Sequence, residues 1–515
     1  MNNCYCDRRT HNKLKYEMKW IILGAVNVII IMMTCGLMLN IHFSPDTYDI
    51  WTTTDNNVDV HLRDGRFITA ALYHILAKLG INVAHNQSFF TIIFILTVAG
   101  VTTVLSYYID KRLRQSSITR LAIIDGGLLL IFHNAFIAEW YLFPEAMLMY
   151  AVSLASVVVA VETLIQSYLS NGFLVKLRYG CFSLVALILS LGTYQVSIGI
   201  YIILLLTLIV VHNELPVAKK LIFAFKGLCF GAFNCFLNIG IVKILTAMRV
   251  MPPTPRGANL SLKAICDNML AIMSHQKEIW SGHHIYPRYA LVGYLVILVL
   301  LFVAINLQYK IEDKGINILL VFLFCGIIYV GSYIPHFVSS DFWLSQRTLV
   351  PIFGLYSFLA IVCAVNCNIK RILYTILFVI LTFLMLNSLL MEGIFSNHLA
   401  MDDFDIAYAK DVQSYIQKYT ERTGNEIRYL AIGRDSDPTW SYNGIKYVSY
   451  DMNVKNILRS WSNIGLINTA NKTNYQACEI DEIFWEKQFG DKNWDGFVPE
   501  EQIAFQDDIA YIAIY

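Results

Sequence analysis

Charge is what this chain of 515 residues has least of: Asp, Glu, Lys and Arg make up 15% of it, and 56% of the residues are hydrophobic. A soluble domain normally carries about a quarter charged residues, and a soluble chain this long would need polar surface for several domains. There is also no cysteine framework. Six of the eleven cysteines (Cys35, Cys181, Cys229, Cys235, Cys325 and Cys363) sit in apolar blocks, where a thiol behaves as a small hydrophobe. Cys4, Cys6 and Cys367 fall in segments expected to face the cytoplasm, which leaves Cys266 and Cys478 as the one pair that an oxidising compartment could join. No cleavable leader is expected, because the first apolar block exceeds the roughly 15-residue core of a signal peptide. Walker A, HExxH, paired CxxC and GxSxG motifs are absent, as are internal repeats. A net charge of +1 gives no reason to expect a nucleic-acid partner.

What the chain does have is unbroken apolar blocks, such as 20–41 and 316–334. Each has about the length that spans a ~30 Å hydrocarbon core. In order, the blocks predict helices at 20–41, 88–108, 121–141, 145–166, 179–193, 196–212, 221–247, 288–307, 316–336, 348–367 and 372–391. The stretch 179–212 reads as two helices turning at Gly192-Thr193-Tyr194-Gln195, because basic pairs flank it on both sides. With the N-terminus inside, the inner segments hold seventeen Lys and Arg and the longer outer segments nine, so the positive-inside bias sets the orientation. The expected fold is an all-α polytopic membrane protein with about eleven transmembrane helices. A cytoplasmic tail (1–19) precedes a membrane domain (20–391), whose outer loops are 42–87, 139–145, 249–287 and 337–347. Of the 38 acidic residues, 20 follow Met391, alongside 11 Lys and Arg. Residues 392–515 therefore form a water-soluble extracytoplasmic domain. A helix at 401–422 and strands at 427–432, 446–450 and 509–514 predict a small α/β or α+β fold.

Candidate chemistry gathers in the outer loops. Loop one carries Asp46 and Asp49 just beyond the first membrane helix, followed by Arg63, Asp64 and Arg66 and an amphipathic stretch ending near Leu79. A carboxylate at the membrane surface can take the proton of an acceptor hydroxyl; any single loop Asp reads more simply as a solvated charge, and it is the set of Asp46, Asp49, Arg63, Asp64 and Arg66 in one short loop that carries the functional reading. The second outer turn adds Glu139 and Glu145, with Trp140, Tyr141 and Phe143 reading equally well as an interfacial aromatic belt. Tyr194 and Gln195 at the hairpin tip offer a hydroxyl and an amide to a sugar. Arg66, Arg256, Arg288 and Arg347 stay outside against the positive-inside bias, and a lipid phosphate is the natural anion for them. Arg347 also falls at the start of a helix, where unsatisfied N–H groups favour phosphate. Asp402-Asp403-x-Asp405 looks like a metal cluster, but reads more simply as an acidic run before a helix.

Together, Pro45-Asp46-x-Tyr48-Asp49, Gly65-Arg66-Phe67, Glu139-Trp140-x-x-Phe143-Pro144-Glu145, Gly192-Thr193-Tyr194-Gln195 and Gln346-Arg347-Thr348 carry a resemblance. The chain resembles the bacterial serotype-converting O-antigen glucosyltransferases of the glycosyltransferase C superfamily over roughly 20–391. The resemblance implies a multi-pass protein of the bacterial cytoplasmic membrane. It implies a polyprenyl-phosphate sugar as donor, a cell-surface glycan as acceptor, and an essential acidic residue in the first outer loop, here Asp46 or Asp49. Transfer of one sugar, glucose by the resemblance, would invert the anomeric centre, with no cofactor required. A metal-using branch of the superfamily keeps a divalent ion open as an alternative, with Asp46, Asp49 and Glu139 as ligands. A polysaccharide polymerase or ligase is the competing enzyme class. A transporter would place ionisable groups near the midplane in repeated halves, and Asp125, Glu162, Lys226 and Lys243 form no such repeat.

Overall fold

The computed structural model describes residues 3–113, 117–212, 214–253, 257–281, 285–287, 290–308, 314–490 and 492–515. It is 71% helical, with a small sheet at the C-terminal end. Among the described residues, seven helices are long and apolar enough to cross a membrane: Glu17–Leu39, Gln87–Arg112, Pro144–Leu169, Phe173–Thr193, Val217–Ala247, Gln346–Asn366 and Lys370–Thr423. The helices Ser197–Val211, Val292–Leu307 and Gly315–Gly331 are apolar but shorter. The expected helix at 121–141 is instead Ile118–Phe132 followed by a separate turn, Ala138–Tyr141. Asn134 causes the break: its side-chain oxygen accepts from the N–H groups of Phe136 and Ile137, while its amide donates back to Leu130 and Ile131.

Ser197–Val211 is apolar all round, and every residue of it is buried, as suits a helix at the centre of a bundle. It crosses the largely buried Gln346–Asn366 through glycines. A Cβ on Gly199 would lie 2.7 Å from Pro351, and one on Gly354 would collide with Ile203. The peripheral helices Phe173–Thr193 and Val217–Ala247 instead expose Phe173, Leu174, Phe182, Phe225 and Phe236, an outward surface suited to lipid. The turn between Phe173–Thr193 and Ser197–Val211 falls at the predicted polar tetrapeptide, where Tyr194 leaves the helix in an extended conformation.

The last long helix, Lys370–Thr423, runs through residues 391 and 401 without interruption. Asp402 and Asp405 therefore do not precede a helix, as the sequence suggests, but lie inside one and are buried. They serve as acceptors: Asp402 takes the N–H of Phe43 (2.8 Å), and Asp405 takes the Tyr442 hydroxyl (2.7 Å) and the N–H of Asn456 (2.9 Å). The C-terminal sheet comprises β1 (Tyr429–Arg434), β2 (Gln476–Ala477), β3 (Ile503–Gln506) and β4 (Ile509–Ile514), in the order β2-β1-β4-β3. β1 pairs in parallel with β2 and β4, and β3 forms an antiparallel hairpin with β4. β4 is buried on both faces, as its run IAYIAI requires. Ile512 and Ile514 pack towards Val412 and Ile416, and Tyr511 and Ala513 towards Phe489. Residues 446–450 are not a strand. Their only ladder contact is the bridge of Ser449 with Met452, and Tyr447, Tyr450 and Asn453 all take positive φ, which turns the segment into a tight loop. Cys266 and Cys478 are both free.

The two halves are fastened together. Phe43 and Tyr48 from loop one stack at 4.5 Å and belong to the C-terminal core. Helix Pro45–Thr52 lies against helix Asn463–Asn471 so closely that a Cβ on Gly465 would sit 2.8 Å from the Tyr48 carbonyl oxygen. Backbone cannot yield there as a side-chain tip can. Gly465→Val should therefore lower stability by about 1–3 kcal/mol, read as a lower unfolding midpoint in detergent. An unchanged midpoint would show that the halves are not tightly docked at this point.

Candidate active site

The site is built outward from a helix cap. Ser44 caps helix Pro45–Thr52 in a reciprocal box with Thr47, and Pro45 occupies the first turn, where no N–H is required. The cap is anchored by buried Glu145, which accepts from the Ser44 hydroxyl (3.2 Å) and the Thr47 hydroxyl (2.7 Å); the Tyr73 hydroxyl donates to the Glu145 carbonyl. This fixes the position of Asp46, which is half-buried and accepts from the indole N–H of Trp461 at 3.1 Å. Burial pushes the Asp46 carboxyl up, Arg347 pulls it back, and the negative charges of Asp451 and Asp64 add to the upward push. Asp49 lies one turn on and is held by the Asn57 amide.

Glu139 is fully buried. It accepts the backbone N–H of Arg347 at 2.7 Å and lies 3.7 Å from the Nε of that guanidinium. Burial pushes its carboxyl up to about 7 against the opposing pull of Arg347. The backbone N–H of Arg347, expected as a helix-start donor to phosphate, is thus already used by Glu139, and the α-helical turn that opens the Gln346–Asn366 span, Gln346–Leu349, is four residues long before a 3-10 turn follows. The Arg347 carbonyl accepts from the Trp140 indole (2.8 Å) and the Tyr194 hydroxyl (3.4 Å). Its guanidinium lies over Phe143 at 4.3 Å and donates to Asp451 at 3.2 Å.

Arg66 joins from the far side of loop one. It pairs with Asp64 at 3.1 Å and faces the Tyr194 ring at 5.6 Å. Gln195 donates to the Asp64 and Gly65 carbonyls (3.3 and 3.4 Å), bracing the turn that Gly65 makes at φ +72°. The structure thus gathers Asp46, Arg66, Glu139, Glu145, Tyr194, Gln195 and Arg347 around one region. Tyr194, Gln195 and Glu145 each direct polar atoms to protein partners there. Asp49 is bonded to Asn57, and Arg256 and Arg288 lie outside the described residues. Among the described residues, no group of three or more His, Cys, Asp or Glu side chains is placed to hold a metal ion.

Sequence reasoning missed the contribution of the C-terminal part. Asp451 bonds both Arg347 and Arg459 (2.8 Å), Gln346 donates to the Ser449 hydroxyl (2.7 Å), and Trp461 bonds Asp46. No motif marks these residues. Their proximity depends on the positive-φ backbone at 447, 450 and 453, which a string of Tyr and Asn does not reveal. A groove of about 470 Å³ beside β1 and β2, lined by Gln413, Gln417, Tyr429 and Asn474, contains none of the clustered residues.

Apolar spans whose connecting segments bring carboxylates, arginines and stacked aromatics together describe a membrane protein with one clustered polar site. The family model described as Glucosyl transferase GtrII matches residues 36–364. The chain belongs to that family, the serotype-converting O-antigen glucosyltransferases, which makes it a glucosyltransferase rather than a transporter. No curated protein and no solved structure matches it.

The Glu139 carboxyl yields a pH test. Because its ordinary value of 4.5 rises to about 7 on folding, the folded chain holds this proton more tightly than the unfolded one. The stability it contributes is complete below pH 4.5 and is lost as the pH rises through about 7. Glu139→Gln keeps an acceptor for the Arg347 N–H and cannot ionise. The fall in unfolding midpoint across that interval should be shallower in Glu139→Gln than in the parent. Equal slopes would assign the titration to another group.

Proposed function

We propose that the protein transfers a single glucose from a polyprenyl-phosphate donor to a cell-surface glycan at the outer face of the bacterial cytoplasmic membrane, with inversion and with Asp46 as general base. The observation that carries this reading is the surroundings of Asp46: a half-buried carboxylate with its affinity for a proton raised, on a capped helix, within electrostatic reach of Arg347. Such a group suits the removal of a hydroxyl proton better than a solvated Asp does. In the proposed step Asp46 takes the proton of an acceptor hydroxyl, whose oxygen forms a bond to the anomeric carbon. The bond from that carbon to the phosphate oxygen breaks, and its electron pair leaves with the polyprenyl phosphate. Arg347 and Arg66 offset the charge that develops on the departing phosphate.

The orientation proposed with this function places the N-terminus in the cytoplasm and residues 392–515 outside, where a lipid-linked sugar is the activated donor. A reporter fused after Tyr515 should be active only in the extracytoplasmic compartment, and a cysteine replacing Lys111 should label only from the cytoplasm. The reverse pattern would bring the site to nucleotide sugars and end the lipid-donor reading.

Asp46→Asn keeps size and removes the base. Transfer of label from polyprenyl-phosphate glucose should drop by about a hundred- to ten-thousandfold, with expression retained. Asp49→Asn should cost far less, because the Asp49 carboxylate is already engaged by the Asn57 amide. If Asp49→Asn proved the more damaging, the base would be misassigned.

A further inference from the structure

Arg459 belongs to the C-terminal half, yet it lies one carboxylate away from Arg347. Asp451 joins them, with Oδ2 on Arg347 at 3.2 Å and Oδ1 on Arg459 at 2.8 Å. All three side chains are largely buried, at 16%, 14% and 16% exposure for Arg347, Asp451 and Arg459. Two guanidiniums share this one carboxylate, and Glu139 lies on the other side of Arg347, 3.7 Å from its Nε. Arg459 is placed by more than Asp451: it also donates to the Tyr450 carbonyl at 3.1 Å and lies 5.6 Å from the Trp461 ring and 5.9 Å from Trp440. Its Nε is buried with no hydrogen-bond partner among the described residues. A buried guanidinium N–H without a partner is costly unless something arrives to accept from it. Trp461 in turn bonds Asp46, so this second cation lies two contacts from the proposed base.

We infer that Arg459 is a ligand of the donor phosphate, forming with Arg347 a two-arginine site whose halves come from the two parts of the molecule. The chemistry it fits is a singly charged phosphodiester between a sugar and a prenyl chain, since the two guanidiniums flank a single bridging carboxylate and the Arg459 Nε is still an open donor. This inference rests on the proposed lipid-phosphate donor.

The test uses the full chain in detergent, with farnesyl phosphate as the probe and farnesol as the control without phosphate. The parent protein should bind farnesyl phosphate and not farnesol. Arg459→Ala should bind it roughly ten- to a hundredfold more weakly, the range expected for lost hydrogen bonds to a charged group. Arg459→Lys should fall between, because it keeps charge without the planar fork. Arg428→Ala, which removes an exposed arginine paired with Glu426 at 3.7 Å, should match the parent. Should the parent fail to bind farnesyl phosphate, the donor reading itself falls. If the parent binds but Arg459→Ala binds as tightly, this inference alone is overturned. If Arg459→Ala does not fold, the lysine variant decides: parental affinity refutes the inference and at least tenfold weaker binding supports it. Equal competition by phosphatidylglycerol would make the site a general lipid-headgroup site and would also overturn it.

Discussion

Glu139 and Arg347 are removed from water together, and much of the candidate site follows from how that is achieved. An ionised group taken into apolar surroundings alone costs several kcal/mol, and Coulomb attraction offsets this only when hydrogen bonds satisfy the remaining donors and acceptors. Here the carboxylate takes the backbone N–H of Arg347, the guanidinium lies over Phe143 and reaches Asp451, and the Arg347 carbonyl receives Trp140 and Tyr194. The Arg347 backbone is therefore held on three sides before its side chain does anything. A flexible cation becomes a fixed one, as electrostatic stabilisation of a leaving group requires.

The same solution recurs where the two halves meet. Asp402 and Asp405 are carboxylates buried within a long helix, and each accepts from another element: the Phe43 N–H from loop one, and Tyr442 and the Asn456 N–H from the C-terminal part. Glu145 does this for the cap of helix Pro45–Thr52. Buried carboxylates thus act as fasteners that specify where loop one sits, because leaving any of their partners unmade would be more costly than the bond is worth. Loop one, which carries Asp46, is held between the membrane helices through Glu145 and the C-terminal part through Asp402 and Gly465.

Legibility in the sequence tracked how local each cause was. Apolar runs, the hairpin tip at 192–195 and the strands near 427–432 and 509–514 could be read because a window of residues determines them. The family could be read from short loop motifs, and those motifs prove to be adjacent in space. The continuous helix through 401 could not be read, because charged residues in mid-helix look like a helix start until their partners 359 and 51 residues away are known. The role of residues 449–461 was hidden for the same reason. Their contacts with Gln346, Arg347 and Asp46 span 103, 104 and 415 residues, and the composition of the segment signals only a soluble, acidic surface.

Placing the candidate site on the seam, rather than inside either half, suits the proposed chemistry. A prenyl-linked donor can approach only from the bilayer and a glycan acceptor only from water, so a site enclosed by the helix bundle would exclude one and a site in the soluble part would exclude the other. The membrane half contributes the elements that need rigidity: a guanidinium anchored through its backbone and a carboxylate on a capped helix. The C-terminal half contributes side chains that close over them, with Trp461 on Asp46 and Asp451 on Arg347. Because Asp46 touches both groups of residues, the position of its carboxylate depends on the docking of the halves. That docking is set by backbone contact at Gly465 and by buried hydrogen bonds at Asp402 and Asp405, none of which would meet either substrate.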